Sequence, residues 1–371
     1  MSKQIRLGVI GAGVIGTMHI NNIKELKCPE ITLTAVSDID PQRLNRVTGT
    51  ALFDNAGAML DSGLVDAALV ATPHYEHPGL AIECLKRGIH VMIEKPAGVY
   101  TKNVREMNDA ADESGLVFGV MFNQRTEHVY RKMKEIVSSG KLGNIRRINW
   151  IITDWYRSQA YYNSSAWRAT WSGEGGGVLL NQCPHNLDLL QWICGMPVMV
   201  DAKLHFGKWH DIEVEDDVTA YMEYENGATG TFITTTGDVP GSNRFEIDFD
   251  SGKLVAENDE LTMWELEQSE PEFSRVNTEL FGAPRSTKTV IETDVKSEQH
   301  VGVLNAFAGA ILHGEPLIVD GREGINSLLL SNAMHLSSWT DSPVFLPIDE
   351  DLYYNELMKR VKSSRRKAVQ V

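Results

Sequence analysis

Four stretches of this sequence carry residue types able to do chemistry. The first is Gly11-Ala12-Gly13-Val14-Ile15-Gly16, which follows a run of β-formers and leads into a stretch with helical spacing. In that setting Gly11 permits a tight turn and Gly13 lets the backbone approach a pyrophosphate. Gly16 lets the helix pack on its sheet, with the helix N-terminus facing the phosphates. The second is Asp38, at the end of the next β-rich run. A carboxylate there accepts hydrogen bonds from both ribose hydroxyls of NAD and repels the 2′-phosphate of NADP. Ile39, Asp40 and Pro41 follow it, with no arginine adjacent, so the reading favours NAD over NADP. The alternative is that Asp38 caps a turn and Arg43 meets a phosphate.

Glu94-Lys95-Pro96 is the third stretch and closes another apolar run. A lysine there can hydrogen-bond a substrate hydroxyl, pass its proton along and stabilise a developing alkoxide. It can equally be a solvated charge. The fourth runs from Gly175-Gly176-Gly177 through Asn181 and His185 to Asp188. The glycines let backbone pass close to a ligand. A helix over Asn181 to Cys194 would set Asn181 and His185 on one face, with Asp188 placed to orient the ring. The plainer alternative is a satisfied core histidine.

The elements that must position these residues alternate through the first third. Strands are expected over 5–10, 31–37, 65–71, 89–93 and 116–121, with helices over 17–26, 77–87 and 101–114. Asp40-Pro41 is a helix-start signal and Gly88 a helix stop. That alternation calls for a parallel sheet, whose ligands bind outside the carboxyl ends of the strands. After about residue 124 a helix over 127–139 gives way to strands at 145–153, 200–206, 218–224, 228–236, 244–249 and 252–257, with helices over 299–313 and 321–340. Their alternating polarity suits an antiparallel or mixed sheet with one packed face. The expected organisation is a Rossmann domain, 1–124, followed by an α+β domain with a large open sheet, 125–371.

Composition narrows the class. With 371 residues, 42% hydrophobic and 23% charged, the chain is globular and large enough to bury its own core. Lysine and arginine number 35 against 50 aspartates and glutamates, a net charge of −15. A field of that sign repels phosphate backbones and anionic lipid, so neither nucleic acid nor a membrane is an expected partner. The basic run at Arg365, Arg366 and Lys367 reads as a solvated terminus. Cys28, Cys84, Cys183 and Cys194 form no CxxC pair, and no cluster has zinc spacing, so buried free thiols and no metal are expected. The start, MSKQIRLGVIG, has no basic-then-apolar signal region. A cytoplasmic protein is the expectation.

The glycine fingerprint, the Glu-Lys-Pro loop and the Gly-Gly-Gly…His-Asn-Leu-Asp stretch together resemble the Gfo/Idh/MocA oxidoreductases in order and spacing, over about residues 4 to 340. That resemblance implies hydride exchange between a nicotinamide and a hydroxyl-bearing carbon of a sugar or cyclitol. It also implies an exposed sheet face that often packs in dimers or tetramers. Lys95 matches the family's catalytic lysine and His185 its catalytic histidine, while Asn181 stands where many members carry aspartate. An amide can hold a substrate but cannot transfer its proton, so Lys95 and His185 must do the acid/base work. The match also implies that Thr72, Pro73 and His74 border the nicotinamide ribose with His77 nearby, and that Asn123 and Arg125 lie under the nicotinamide edge. Trp167 and Arg168, in a loop with Tyr156, Tyr161, Tyr162 and Trp171, would close on a sugar ring or else line a subunit contact. The favoured activity is NAD-dependent oxidation of a sugar or glycoside to a 3-keto product. An inositol-type dehydrogenase and a glycoside-cleaving enzyme using transient oxidation are the alternatives.

Overall fold

A computed structural model describes residues 4–293 and 297–364. The basic run at 365–367 lies outside the described residues. The chain divides into two compact units.

The first unit comprises the described parts of residues 1–126, 173–175 and 298–329. Its strands are β1 (Ile5–Ile10), β2 (Ile31–Ser37), β3 (Ala51–Phe53), β4 (Ala67–Val70), β5 (His90–Ile93) and β6 (Phe118–Val120). They form one sheet in the order β3-β2-β1-β4-β5-β6 with every pair parallel. The helices between them are α1 (Val14–Lys24), α2 (Pro41–Leu44), α3 (Ala56–Asp61), α4 (His77–Lys86) and α5 (Thr101–Ser114). The order is that of dinucleotide-binding sheets, in which the crevice opens where the winding reverses beside β1. Asp40 caps α2 through Gln42 N at 2.9 Å with Pro41 at the first helical position, as its sequence signal required. β3 and α3 escaped the sequence reading because each is very short.

One expectation changes here. A single break after residue 124 does not separate the units, because residues 298–329 return to the first. Helix α10 (Gln299–His313) places Val303, Leu304, Phe307 and Ala308 in one buried cluster with Ile5, Leu7, Val9 and Leu69. Burying that apolar face, at roughly 1.5–3 kcal/mol for each large side chain, outweighs the loop entropy of so distant a return.

The second unit comprises the described parts of residues 127–172, 176–297 and 330–371. It holds helices α6 (His128–Ser138), α7 (Gln159–Asn163), α8 (Pro184–Cys194), α9 (Glu270–Val276) and α12 (Glu350–Ser363). Helix α11 (Gly324–Thr340) belongs to it from residue 330 onward. Its strands are β7 (Ile145–Ile152), β8 (Met199–Phe206), β9 (Glu215–Glu223), β10 (Thr229–Thr235), β11 (Asn243–Phe249), β12 (Gly252–Glu257), β13 (Glu260–Leu266), β14 (Ser286–Ile291) and β15 (Val344–Phe345). They form a mixed sheet, β14-β13-β12-β11-β7-β10-β9-β8-β15, in which, among the described residues, only β7 and β10 pair in parallel. One face is apolar and buried. Trp150 stacks on Phe245 at 4.1 Å there, beside Ile148, Phe232 and Ile247. The opposite face is laced with charge: Arg244 bridges Glu246 and Glu257, and Lys253 bridges Glu246 and Asp248.

Candidate active site

In the first unit β1 delivers the glycine turn directly. Gly11 has φ +97°, and a Cβ on it would meet Ala71 O at 2.6 Å. On Gly16 a Cβ would stand 1.9 Å from Gly11 O, so the helix can approach the turn only with glycine there. Gly13 differs, since none of the described residues lies within 4 Å of where its Cβ would be. Among the described residues no side chain caps the α1 N-terminus, and Val14 beside it is 94% exposed. Open space, bare amides and a helix N-terminus fit a pyrophosphate. Asp38 is buried at the end of β2, accepting from Ala12 N at 2.7 Å through Oδ2 and from Asp40 N at 2.8 Å through Oδ1. A carboxylate has about four acceptor positions, so it can still take ribose hydroxyls. Arg43 lies 3.6 Å from Asp38 and 3.3 Å from Asp40, where both carboxylates offset its charge.

The loops after β4 and β5 are tied by a histidine. His77 is buried, with Nδ1 2.8 Å from Pro96 O and Nε2 2.8 Å from Thr72 O. It therefore clips the Thr72-Pro73 and Glu94-Lys95-Pro96 loops together. Thr72 Oγ1 is buried without a partner among the described residues. His74 faces Glu174 O at 3.2 Å. Glu94 also turns inward. Its Oε1 meets His19 Nε2 at 2.7 Å and its Oε2 accepts Lys95 N at 3.1 Å. Burial alone would raise the Glu94 carboxyl, but the His19 hydrogen bond and the charges of His19, His300 and Lys95 outweigh it and bring it to about 2. Glu94 is thus a brace for the lysine loop, and Lys95 stands half-buried beyond it.

Asn123 and Arg125 each reach a partner far along the chain. Asn123 donates to Gln299, and Arg125 pairs with Glu323 at 2.8 Å with its side chain 2% exposed. These contacts anchor α10 and the turn before α11. The sequence showed no sign of that return, so it could not show the partners.

In the second unit the glycine stretch is a turn, and α8 begins only at Pro184. Asn181 therefore lies ahead of the helix that was expected to include it: Leu180 N and Asn181 N both bond to Gly177 O, at 3.1 and 2.9 Å. His185 occupies the first turn of α8. Asp188 is fully buried and accepts from Gln191 Nε2 at 3.1 Å.

Tyr161 is the hub of the aromatic loop. Its hydroxyl receives hydrogen bonds from Arg168 and from Gln182, the latter at 3.2 Å, and makes a long contact of 3.5 Å to Asn181 Oδ1. Arg168 lies over Tyr161 at 4.3 Å and over Trp167 at 4.8 Å, while Arg157 covers Tyr161 at 5.1 Å. Asn181, Arg168 and Trp167 are therefore brought together, and Tyr156, 49% exposed, stands at the margin. The hub role of Tyr161 went unread because a tyrosine in a loop has no spacing to betray it.

A doubly wound parallel sheet, a glycine turn with bare amides and a lysine at a strand end define a dinucleotide-binding oxidoreductase. Residues 5–122 match the oxidoreductase family with an NAD-binding Rossmann fold, and residues 130–255 match the GFO/IDH/MocA C-terminal domain. The chain belongs to the Gfo/Idh/MocA family of oxidoreductases. Among its relatives, the myo-inositol 2-dehydrogenase of Thermotoga maritima is 26% identical over 343 residues, 89% of this chain and 95% of that one. The D-glucoside 3-dehydrogenase of Escherichia coli is 30% identical over 251 residues, 61% of this chain and 68% of that one. A solved structure of the WlbA dehydrogenase from Bordetella pertussis, in complex with NADH and UDP-GlcNAcA, superposes with a TM-score of 0.80 at 27% identity, covering 94% and 99% of the two chains.

Proposed function

We propose that this protein oxidises a ring hydroxyl of a sugar or glycoside, with position 3 the favoured site and a 3-keto sugar the product. The observation that carries this reading is the cluster of Asn181, Arg168, Tyr161 and Trp167 beside the turn that leads to His185. Aromatic faces suit the apolar face of a pyranose, and the amide and guanidinium suit its hydroxyls. Bound NAD supplies the hydride acceptor. Lys95 donates a hydrogen bond to the reacting hydroxyl and its charge stabilises the oxygen as the proton leaves. His185 takes that proton as general base, and Asn181 orients the ring. The D-glucoside 3-dehydrogenase relative supports position 3. The myo-inositol 2-dehydrogenase relative, aligned over most of both chains, favours a second reading in which a cyclitol is the substrate. The free cysteines, three of them buried, suit a reducing, cytoplasmic setting. Self-association to a dimer or larger completes the proposal.

A panel of D-glucose, methyl glucosides, a UDP-linked sugar acid and myo-inositol, followed by absorbance of reduced cofactor, tests the substrate class. Free NADH accumulating with turnover separates a dehydrogenase from an enzyme that oxidises transiently and cleaves. On the compound oxidised, Lys95→Met and His185→Ala should each cut single-turnover NADH formation by about 10²–10⁴-fold while NAD affinity changes little. Near-normal rates in both variants would overturn the site.

A further inference from the structure

Three successive amides of the glycine turn end on one residue of β9. Gly177 N donates to both carboxylate oxygens of Glu215, at 2.8 and 2.9 Å, and Leu179 N donates to Oε1 at 3.0 Å. Between them, Val178 N donates to the Glu215 backbone carbonyl at 3.0 Å. A Cβ on Gly177 would lie 2.0 Å from that same carbonyl oxygen, so the close approach requires glycine. The fourth partner is His335 on α11, whose Nε2 lies 2.9 Å from Glu215 Oε2. Its Nδ1 faces Ser331 O at 2.8 Å, so the ring is fixed from both nitrogens. Both side chains are 0% exposed. His335 also meets Trp171, which ends the aromatic loop, edge-on at 5.9 Å.

The rest of the turn hangs from those amides. Leu180 N and Asn181 N bond to Gly177 O, and Cys183 N bonds to Val178 O at 2.8 Å just before α8 opens. We propose that Glu215 is a positioning residue for Asn181 and His185, acting through the length and fork of its side chain and held in turn by His335. This rests on the reading above that those two residues face the substrate.

Two variants separate reach from charge. Glu215→Asp keeps the charge but is one methylene short of the turn. Glu215→Gln keeps the length: its oxygen can accept from Gly177 and Leu179, and its amide can donate to a neutral His335. The assays are single-turnover NADH formation from methyl β-D-glucoside, or from myo-inositol if that is the compound oxidised, and hydrogen exchange of the 176–187 segment read by mass spectrometry. The aspartate variant should lose about 10- to 100-fold in rate, the scale set by a small misplacement at a reacting centre. It should exchange faster in that segment and bind NAD as the parent does. Glutamine should restore both rate and protection. Parental behaviour of the aspartate variant would overturn the proposal. So would an equal loss with glutamine, or a lowered melting temperature with an unchanged rate per folded molecule. If Glu215→Asp does not fold, His335→Ala decides, because it removes the hold on Oε2 and leaves Glu215 its full length. Its rate should fall by about 3- to 10-fold and the 176–187 segment should exchange faster, with NAD affinity unchanged, and a parental rate with parental exchange would overturn the proposal. His185→Ala and Asn181→Ala run in parallel. Parental rates there, with faster exchange in the aspartate variant, would sink the active-site reading and leave the hold on the turn standing.

Discussion

Replacing Glu94 by glutamine removes a buried carboxylate that the first unit needs in its charged form. The fold brings its carboxyl from an ordinary 4.5 to about 2: burial pushes it up, but the His19 hydrogen bond and the positive charges of His19, His300 and Lys95 push it further down. At about 1.4 kcal/mol for each tenfold change in proton affinity, that gap is worth about 3 kcal/mol. A hydrogen bond to a charged group, at roughly 1.5–3 kcal/mol, gives the same scale independently. The folded value lies below the unfolded one, so the stabilisation is complete above 4.5 and is lost as pH falls toward 2. The expected outcome is that Glu94→Gln melts roughly 6–12 °C below the parent near neutral pH. The difference should hold down to about pH 5 and shrink to less than half by about pH 3. Scanning calorimetry across that range measures it. A further His19→Gln change in the glutamine background should cost less than the same change in the parent, because the charged contact is already gone and only a neutral hydrogen bond is left to lose. A variant that melts with the parent at neutral pH, or a gap that widens on acidification, would refute the reasoning.

Asp38→Ala should narrow the preference for NAD over NADP by on the order of 1–3 kcal/mol, read by titration of both cofactors, and equal affinities in the parent would sink the assignment. Gly16→Ala, whose Cβ would lie 1.9 Å from Gly11 O, should abolish NAD binding measured by calorimetry, whereas Gly13→Ala has open space and should weaken it only by the new methyl's contact with the phosphates. Light scattering at micromolar concentration should give a multiple of the chain mass, because Leu280 and Phe281 are 93% and 98% exposed and Ile151, Tyr221 and Val290 add apolar surface; a monomer mass would exclude assembly through this unit.

Much of the first unit could be read from the chain because its determinants are local. The glycine turn, the Asp38 position and the Pro41 helix start each depend on neighbours a few residues away. Lys95 was legible as a strand-end lysine, but its brace was not: His19 and Glu94 meet only when β1 and β5 share a sheet. Asn181 was misplaced for a related reason. Its one-turn spacing from His185 mimics a helix, while the bonds to Gly177 O that make a turn depend on Glu215, from a strand that pairs elsewhere. The internal contacts of His77, Asn123 and Arg125 were hidden too. A buried polar residue looks the same in sequence whether it meets a ligand or a distant carbonyl.

The return of α10 to the first unit bears on how the protein is made. A ribosome exposes the strands of that unit long before it delivers Val303, Leu304 and Phe307. Until then Ile5, Leu7, Val9 and Leu69 lack part of their cover, and the nascent nucleotide-binding half presents a sticky surface. A fragment ending at residue 124 would stay in that condition permanently, so expression of the first unit alone calls for residues 298–329 to be grafted on behind it. The order of synthesis thus differs from the order of completion, and the second unit's strands must emerge while the first is still waiting for its last helix.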